Sequence, residues 1–258
     1  MKLVCCASVA DIALAKEAGF TAVELHGKEV AALSEEAFEK LLKDLEEMGL
    51  ECAGYNAYCP KEVVIAGPGY DRENTKRYAK AIAERGSKLG IKQVGVGSPF
   101  SRNLPEGYDR DLAFKQACEF FSDTAEILEP AGILVGVEAL GPNFCNFINT
   151  CDEAMDIIKA VPEHKLGLIL DFYNMERSGE ADRPLEDLVP YILHTHISDD
   201  LNGDGWKRNH LLPEKFDIHR ERAAKLMAAG YKGAISLETD LPLADMNVKQ
   251  SFEVMKSF

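Results

Sequence analysis

The sequence predicts an α/β fold, a closed (β/α)8 barrel with residues 1–258 in a single domain, and three observations carry that prediction. Short apolar runs alternate with helical stretches about eight times, and strict alternation implies parallel strands joined by right-handed crossovers. A chain of 258 residues has the size of eight such units. Four of the apolar runs end in a group that can bind a metal. Ile133-Leu134-Val135-Gly136-Val137 ends in Glu138, Leu166-Gly167-Leu168-Ile169-Leu170 in Asp171, Ile192-Leu193-His194-Thr195 in His196, and Ala234-Ile235-Ser236-Leu237 in Glu238. An open doubly wound sheet is the competing architecture, but no glycine-rich dinucleotide or P-loop fingerprint supports it.

In chain order, residues 3–9 form an apolar first strand and 10–19 a helix closed by Gly19. Residues 22–26 are a second strand. Residues 34–48 are a helix with Ser34 at its N-cap, Glu35 and Glu36 in its first turn, and Phe38, Leu41, Leu42 and Leu45 at helical spacing. Residues 51–58 give a third strand stopped by Pro60, and 63–70, with Gly67-Pro68-Gly69, read as a loop. A long amphipathic helix over 72–89 precedes a fourth strand over 93–97, and another helix covers 109–128. Between the last four strands, helices are expected at 151–161, 184–192 and from 216 or 219 to 229, with a final helix over 247–258.

Composition narrows the function classes. A formal net charge of −14 repels phosphate backbones and anionic bilayers, which argues against nucleic-acid and membrane partners. No run of 18 apolar residues occurs, and the N-terminal apolar run meets Asp11 too early for a signal peptide. The seven cysteines (Cys5, Cys6, Cys52, Cys59, Cys118, Cys145 and Cys151) form no C-x-x-C pair, a usage that fits a reducing cytoplasm.

In a closed barrel the functional face lies where strands meet their following loops. Glu138, Asp171, His196 and Glu238 all stand at such ends, and each interval between them holds one helix-plus-strand unit. Three carboxylates drawn together repel unless a cation joins them. Three oxygen ligands and one imidazole suit Mn²⁺ above all, with Mg²⁺, Co²⁺ and Zn²⁺ as alternatives, and leave positions open for substrate. The bland alternative for any one acid is a helix cap or an ion-pair partner; the convergence of four is what favours a metal site.

From these residues a resemblance follows. Val137-Glu138-Ala139-Leu140 through Asn146-Phe147-Ile148-Asn149-Thr150, Leu170-Asp171-Phe172, His194-Thr195-His196-Ile197-Ser198-Asp199 and Gly230-Tyr231-Lys232-Gly233-Ala234-Ile235-Ser236-Leu237-Glu238 resemble the fifth to eighth strands of the xylose-isomerase-like TIM-barrel sugar isomerases and epimerases, which include the ketose 3-epimerases and inosose isomerases and dehydratases. The resemblance implies Glu138, Asp171, His196 and Glu238 as metal ligands and Glu138 and Glu238 as the acid–base pair. It implies a keto-sugar or related polyol ketone as substrate. Chelation of a ketone and its neighbouring hydroxyl acidifies the proton on the hydroxyl-bearing carbon. One glutamate would take that proton to give an enediolate. The other would return a proton, to the same carbon for epimerisation or to its neighbour for isomerisation.

The chain departs from the ketose-epimerase pattern at three positions that belong to the substrate grip. Phe144 stands where a second acid is expected, Asn174 where histidine is, and Asn202 where arginine is. A free hexulose therefore fits less well, and lyase chemistry on the same core, as in inosose dehydration or C-glycoside cleavage, is the alternative. A non-catalytic sugar-binding barrel is a third class, against which the complete ligand set argues. DNA repair of the AP-endonuclease type needs additional histidines that the third and fourth strand ends lack.

Asn174 is one expected substrate contact. The segment 200–212 supplies others: Trp206, the only tryptophan, offers a stacking face beside the cations Lys207 and Arg208, and His210 follows. The competing reading of this segment is a solvated loop or an oligomer contact. His26 at the end of the second strand is either pocket-lining or a core histidine. Of Tyr55, Asn56 and Tyr58 one is expected at the pocket, Asn56 being the substrate-binding candidate; one of Cys5 and Cys6 should face the barrel interior. Barrels of this type often associate, so a homo-oligomer is an open expectation.

Overall fold

The computed structural model describes residues 1–200, 207–240 and 242–258. Its strands are β1 (Lys2–Ala7), β2 (Ala22–His26), β3 (Glu51–Asn56), β4 (Gln93–Val96), β5 (Leu134–Glu138), β6 (Gly167–Asp171), β7 (Ile192–Ile197), β8 (Asp199–Asp200), β9 (Arg208–Asn209) and β10 (Ala234–Leu237). Strands β1 to β7 and β10 pair in parallel, and β1 closes the ring on β10 from Lys2↔Ala234 to Cys5↔Leu237. The barrel expected from the alternation is thus present. Strands β8 and β9 form a separate antiparallel ribbon after β7.

The helices are α1 (Ile12–Ala18), α2 (Gly27–Ala32), α3 (Glu35–Met48), α4 (Arg72–Leu89), α5 (Arg110–Leu128), α6 (Cys151–Ala160), α7 (Phe172–Arg177), α8 (Phe216–Ala228) and α9 (Val248–Met255). Their ends follow local chemistry. The Ser34 hydroxyl accepts from Ala37 N, Asp71 from Glu73 and Asn74 N, Asp109 from Asp111 and Leu112 N, and Thr150 forms a capping box with Glu153. Gly49 and Gly90 close α3 and α4 in left-handed conformations that favour glycine. Phe38, Leu41 and Leu45 of α3, Ala79 and Ile82 of α4, and Phe120 and Phe121 of α5 are buried, so the layer between helices and barrel is the main apolar core.

Three expectations need correction. No α-helix forms over 184–192; a turn and a short 3-10 segment, Val189–Tyr191, stand there. Pro190 lacks an N–H, and inside a helix its ring would clash with the carbonyl of residue 186. The helix after β6 is instead α7, which begins at once because the Asp171 carboxylate accepts from Tyr173 N and caps it. The second correction is α2, a short helix directly after β2 where no element was expected. Strand β3 also ends earlier than expected, at Asn56, where Ala57 turns the chain with a positive φ of 44°.

Candidate active site

Glu138 ends β5, Asp171 ends β6, His196 lies near the end of β7, and Glu238 follows β10. Sheet register brings them together: Asp171 pairs with His196 and Ser236 with His196 across neighbouring strands. One ligand atom from each of the four lies within 4.8 Å of the others. His196 Nδ1 is 3.4 Å from Glu138 Oε1 and 3.3 Å from Glu238 Oε2. Asp171 divides its carboxylate, giving Oδ1 to the α7 cap and turning Oδ2 to the site.

The electrostatics are those of crowded, buried acids. Burial pushes Glu138 up, but His196, Arg208 and Arg102 outweigh it and hold the carboxyl below its ordinary range. Asp171 is pushed above its ordinary range by burial and by Glu138, against the pull of Arg208. His196 is held well above its ordinary value, because Glu24 and Glu138 more than offset the cost of burying an imidazolium. Glu238 Oε2 is buried and makes no hydrogen bond, although the Arg208 guanidinium lies against it. Three carboxylates and an imidazole brought this close fit a divalent cation with oxygen-rich ligation.

A cavity of about 550 Å³ opens beside this cluster. Glu138, Glu238, Arg208, Phe144, Lys28 and Lys61 are among its lining residues. Arg208, carried by β9, is the expected substrate contact most firmly in the site. Its Nη2 donates to Asp171 Oδ2 at 2.8 Å, and its guanidinium lies 5.7 Å from the Phe144 ring centroid and 5.3 Å from that of Tyr173. Asn174 is buried on the first turns of α7, where its Nδ2 donates to Asp171 Oδ2 at 2.6 Å and reaches Glu138 Oε1 at 3.4 Å, so it grips the acids. Asn56 Nδ2 reaches Glu238 Oε1 at 3.4 Å.

Other expected residues stand apart. His26 pairs with Glu29, Nδ1 to Oε2 3.5 Å, and does not line the cavity. Lys207 is exposed and also outside the lining. Trp206 and Asn202 fall outside the described residues. Tyr58 packs edge-on against Tyr78 and Phe120. His210 Nδ1 accepts from Asn247 N at 3.2 Å and ties its loop to the start of α9.

Sequence reading missed Glu24. It sits in the middle of β2, is fully buried, and meets His196 Nε2 at 2.9 Å on the side of the ring opposite Glu138 and Glu238. A carboxylate inside an otherwise apolar strand, Ala22-Val23-Glu24-Leu25, was the available signal, since a buried acid demands a partner.

Comparisons with known proteins bear on the family and the fold. The inosose isomerase of Halalkalibacterium halodurans is 28% identical over 134 residues, which cover 50% of this chain and 47% of the relative. The chain thus spans about half the length of the curated relatives it matches. Among solved structures, 3-keto-D-glucoside 4-epimerase from E. coli superposes with a TM-score of 0.77 at 20% identity over 100% of both chains. A protein titled AP endonuclease, family 2, from Brucella melitensis superposes with a TM-score of 0.78 at 20% identity over 100% of this chain and 99% of that one. At such identities these two likenesses speak for the fold. The model of one family, described as xylose isomerase-like TIM barrel, matches residues 12–258. A closed barrel matched over nearly its whole length places the chain in that family: it belongs to the xylose isomerase-like TIM barrels.

Proposed function

We propose that the protein is a divalent-metal-dependent sugar isomerase or epimerase acting on a keto-sugar or related polyol ketone. The observation that carries the reading is the cluster of Glu138, Asp171, His196 and Glu238 ligand atoms within 4.8 Å of one another at the mouth of a cavity. When bound there, a cation such as Mn²⁺ supplies Lewis acidity to a carbonyl oxygen. Glu138 and Glu238 both line the cavity, so one can take a proton from a bound substrate while the other returns one. Asn174 and Asn56 hold these two carboxylates in place from behind. Arg208 and Phe144 would contact the substrate, together with Lys28 and Lys61 at the cavity wall. Seven free thiols support a reducing compartment such as the cytoplasm.

A lyase on the same core is the second reading. Phe144 favours it: the aromatic ring lines the cavity where the ketose-epimerase pattern has an acid, so hydroxyl recognition there is lost. A DNA-repair activity has little support, because the net charge is −14 and the candidate ligand set contains a single histidine.

The test is elemental analysis of protein purified without chelator, beside Glu238→Gln, followed by incubation with ketoses, inosose and C-glycosides in deuterated water. About one Mn²⁺, Mg²⁺ or Co²⁺ per chain, lowered by the substitution, is expected. Deuterium at a substrate carbon is also expected. Product identity separates isomerase from lyase. No bound metal after Mn²⁺ addition, and no effect of the substitution, would overturn the reading.

A further inference from the structure

Glu24 has no place in the acid–base chemistry just described, yet it is among the most elaborately held side chains in the barrel. Side chains from four other strands meet on it. Its Oε2 accepts from Ser236 Oγ of β10 at 2.9 Å and from Cys6 Sγ of β1 at 3.4 Å, and stands 2.9 Å from His196 Nε2 and 3.1 Å from His194 Nε2 of β7. Its Oε1 accepts from Gln93 Nε2 of β4 at 3.0 Å. With the Ser236 proton given to Glu24, the Ser236 oxygen is left to accept from His194 Nε2, 2.6 Å away. Only an ionised carboxylate accepts from so many donors at once.

The backbone is shaped to permit this. At Gly54 of β3 a side chain would run into the Gln93 amide and into the Gln93 carbonyl, so glycine there leaves the path by which Gln93 reaches Glu24. The β2–β3 register slips by one residue beside it: Val23 pairs with Cys52 and Glu24 with Gly54. A bulge re-aims a side chain at the point where it occurs. Here the extra residue is Ala53 of β3, and the slip sets Gly54 opposite Glu24.

We propose that Glu24 is the positioning residue of the site: it takes the Nε2–H of His196 and thereby commits Nδ1 to the cation. This rests on the metal-dependent reading above. The two ring nitrogens face different groups, Nε2 toward Glu24 and Nδ1 toward Glu138 and Glu238. An acceptor on one nitrogen fixes the tautomer and turns the other lone pair to the metal. Ser236, Cys6 and Gln93 keep Glu24 from swinging away, and all three are buried. His194, its Nε2–H given to Ser236 Oγ, stands 3.1 Å from the same carboxylate and is not part of the ligand cluster.

The test uses the full chain with histidines labelled with ¹⁵N, as wild type, Glu24→Gln and Gln93→Met. Three quantities are read: the Mn²⁺ dissociation constant by calorimetry, the melting temperature, and long-range ¹⁵N–¹H correlations of His196 in metal-free protein. Glu24→Gln is expected to weaken Mn²⁺ binding by about 10–100-fold. It should also move the His196 Nε2 resonance out of its hydrogen-bonded position. Gln93→Met removes one of the groups that hold Glu24 and leaves the His196 contact, so its Mn²⁺ affinity should fall by less than that of Glu24→Gln. If Glu24→Gln does not fold, the wild-type spectrum decides alone. An Nε2 that carries no proton in metal-free wild type overturns the proposal, as does a folded Glu24→Gln that binds Mn²⁺ like wild type. A wild type that binds no metal, yet shows the protonated Nε2, sinks the metal-dependent reading and leaves the Glu24–His196 positioning intact.

Discussion

Arg208→Met is the most informative single perturbation. In the metal-free protein the guanidinium bonds the acid cluster directly, 2.8 Å from Asp171 and in ion-pair contact with Glu238. Both Arg208 and Asp171 are buried. Removing one partner of a buried ion pair costs about 3–5 kcal/mol, because the remaining charge is left without compensation. Methionine keeps most of the apolar stem, so the loss reports charge more than a cavity. The guanidinium also leaves the faces of Phe144 and Tyr173, where each contact contributes about 0.5–1 kcal/mol. For a chain of this length about 2–4 °C accompanies each kcal/mol, so the metal-free melting temperature should fall by about 10 °C. Mn²⁺ should then restore more stability to the variant than to wild type, since in wild type the metal must draw Asp171 and Glu238 away from Arg208. Saturation at about a hundredfold over the dissociation constant contributes about 2.7 kcal/mol. Thermal melting in chelator and across a Mn²⁺ titration measures both quantities. A metal-free variant melting within about 2 °C of wild type, or an identical Mn²⁺ shift in the two proteins, would refute the charge argument.

Other outcomes follow from particular contacts. A side chain at position 97 would meet Glu138 Oε2 inside van der Waals contact, so Gly97→Ala should displace that carboxylate and weaken Mn²⁺ binding about tenfold with little change in far-ultraviolet circular dichroism; unchanged affinity would show that Glu138 can give way. Burial raises the Asp123 carboxyl, but Arg72, bonded through Nε at 2.7 Å and Nη2 at 2.8 Å, outweighs it and holds the group below its ordinary value. A depressed value stabilises the fold above the unfolded pKa of about 3.9 and loses that contribution as pH falls through the folded value. Because Arg72 is half exposed, the pair contributes only about 1 kcal/mol. Asp123→Asn should therefore lower the melting temperature by a few degrees at pH 7, with the gap closing as pH falls through the folded value, and a gap independent of pH would contradict the assignment.

The four candidate ligands were legible because each closes an apolar run, and in a parallel barrel the ends of strands are where chemistry-bearing side chains gather. The helix over 184–192 was misread because Leu185, Leu188 and Val189 carry helical spacing, while the effect of Pro190 is felt through its missing donor and its ring. Helix α7 was invisible for the opposite reason. Its residues Phe172, Tyr173, Asn174 and Met175 are all buried, so they show no polar face against which a period could be seen. Asn174 and Asn56 were expected as substrate contacts, but in the structure they bond the acids, Asn174 to Asp171 three residues before it and to Glu138 of β5, and Asn56 to Glu238. Glu24 was marked only by an acid within an apolar strand, and its partners lie on other strands that no local pattern connects to it.

The charge balance of the site comes from two sides of the barrel end. Beneath His196, inside the strands, Glu24 faces two histidines and is held by residues of β1, β4 and β10. On the other side, Arg208 rides on the β8–β9 ribbon, and the ribbon is itself pinned by charge. Asp199 accepts from Leu212 N at 2.6 Å and lies 2.9 Å from His219 Nε2, Asp200 pairs with Arg177, and Arg208 N donates to Asp240 Oδ2 at 2.8 Å. Arg177 is the last residue of α7, and α7 starts from the cap that Asp171 provides. Asp171 therefore acts twice on Arg208, directly through Oδ2 and indirectly by setting where α7 begins and so where Arg177 meets the ribbon. With a cation held by Glu138, Asp171, His196 and Glu238, Arg208 would lose a partner while the ribbon stayed anchored. The guanidinium would then be released beside the cavity, between Phe144 and Tyr173, where it would face a bound substrate in place of the ligand carboxylates.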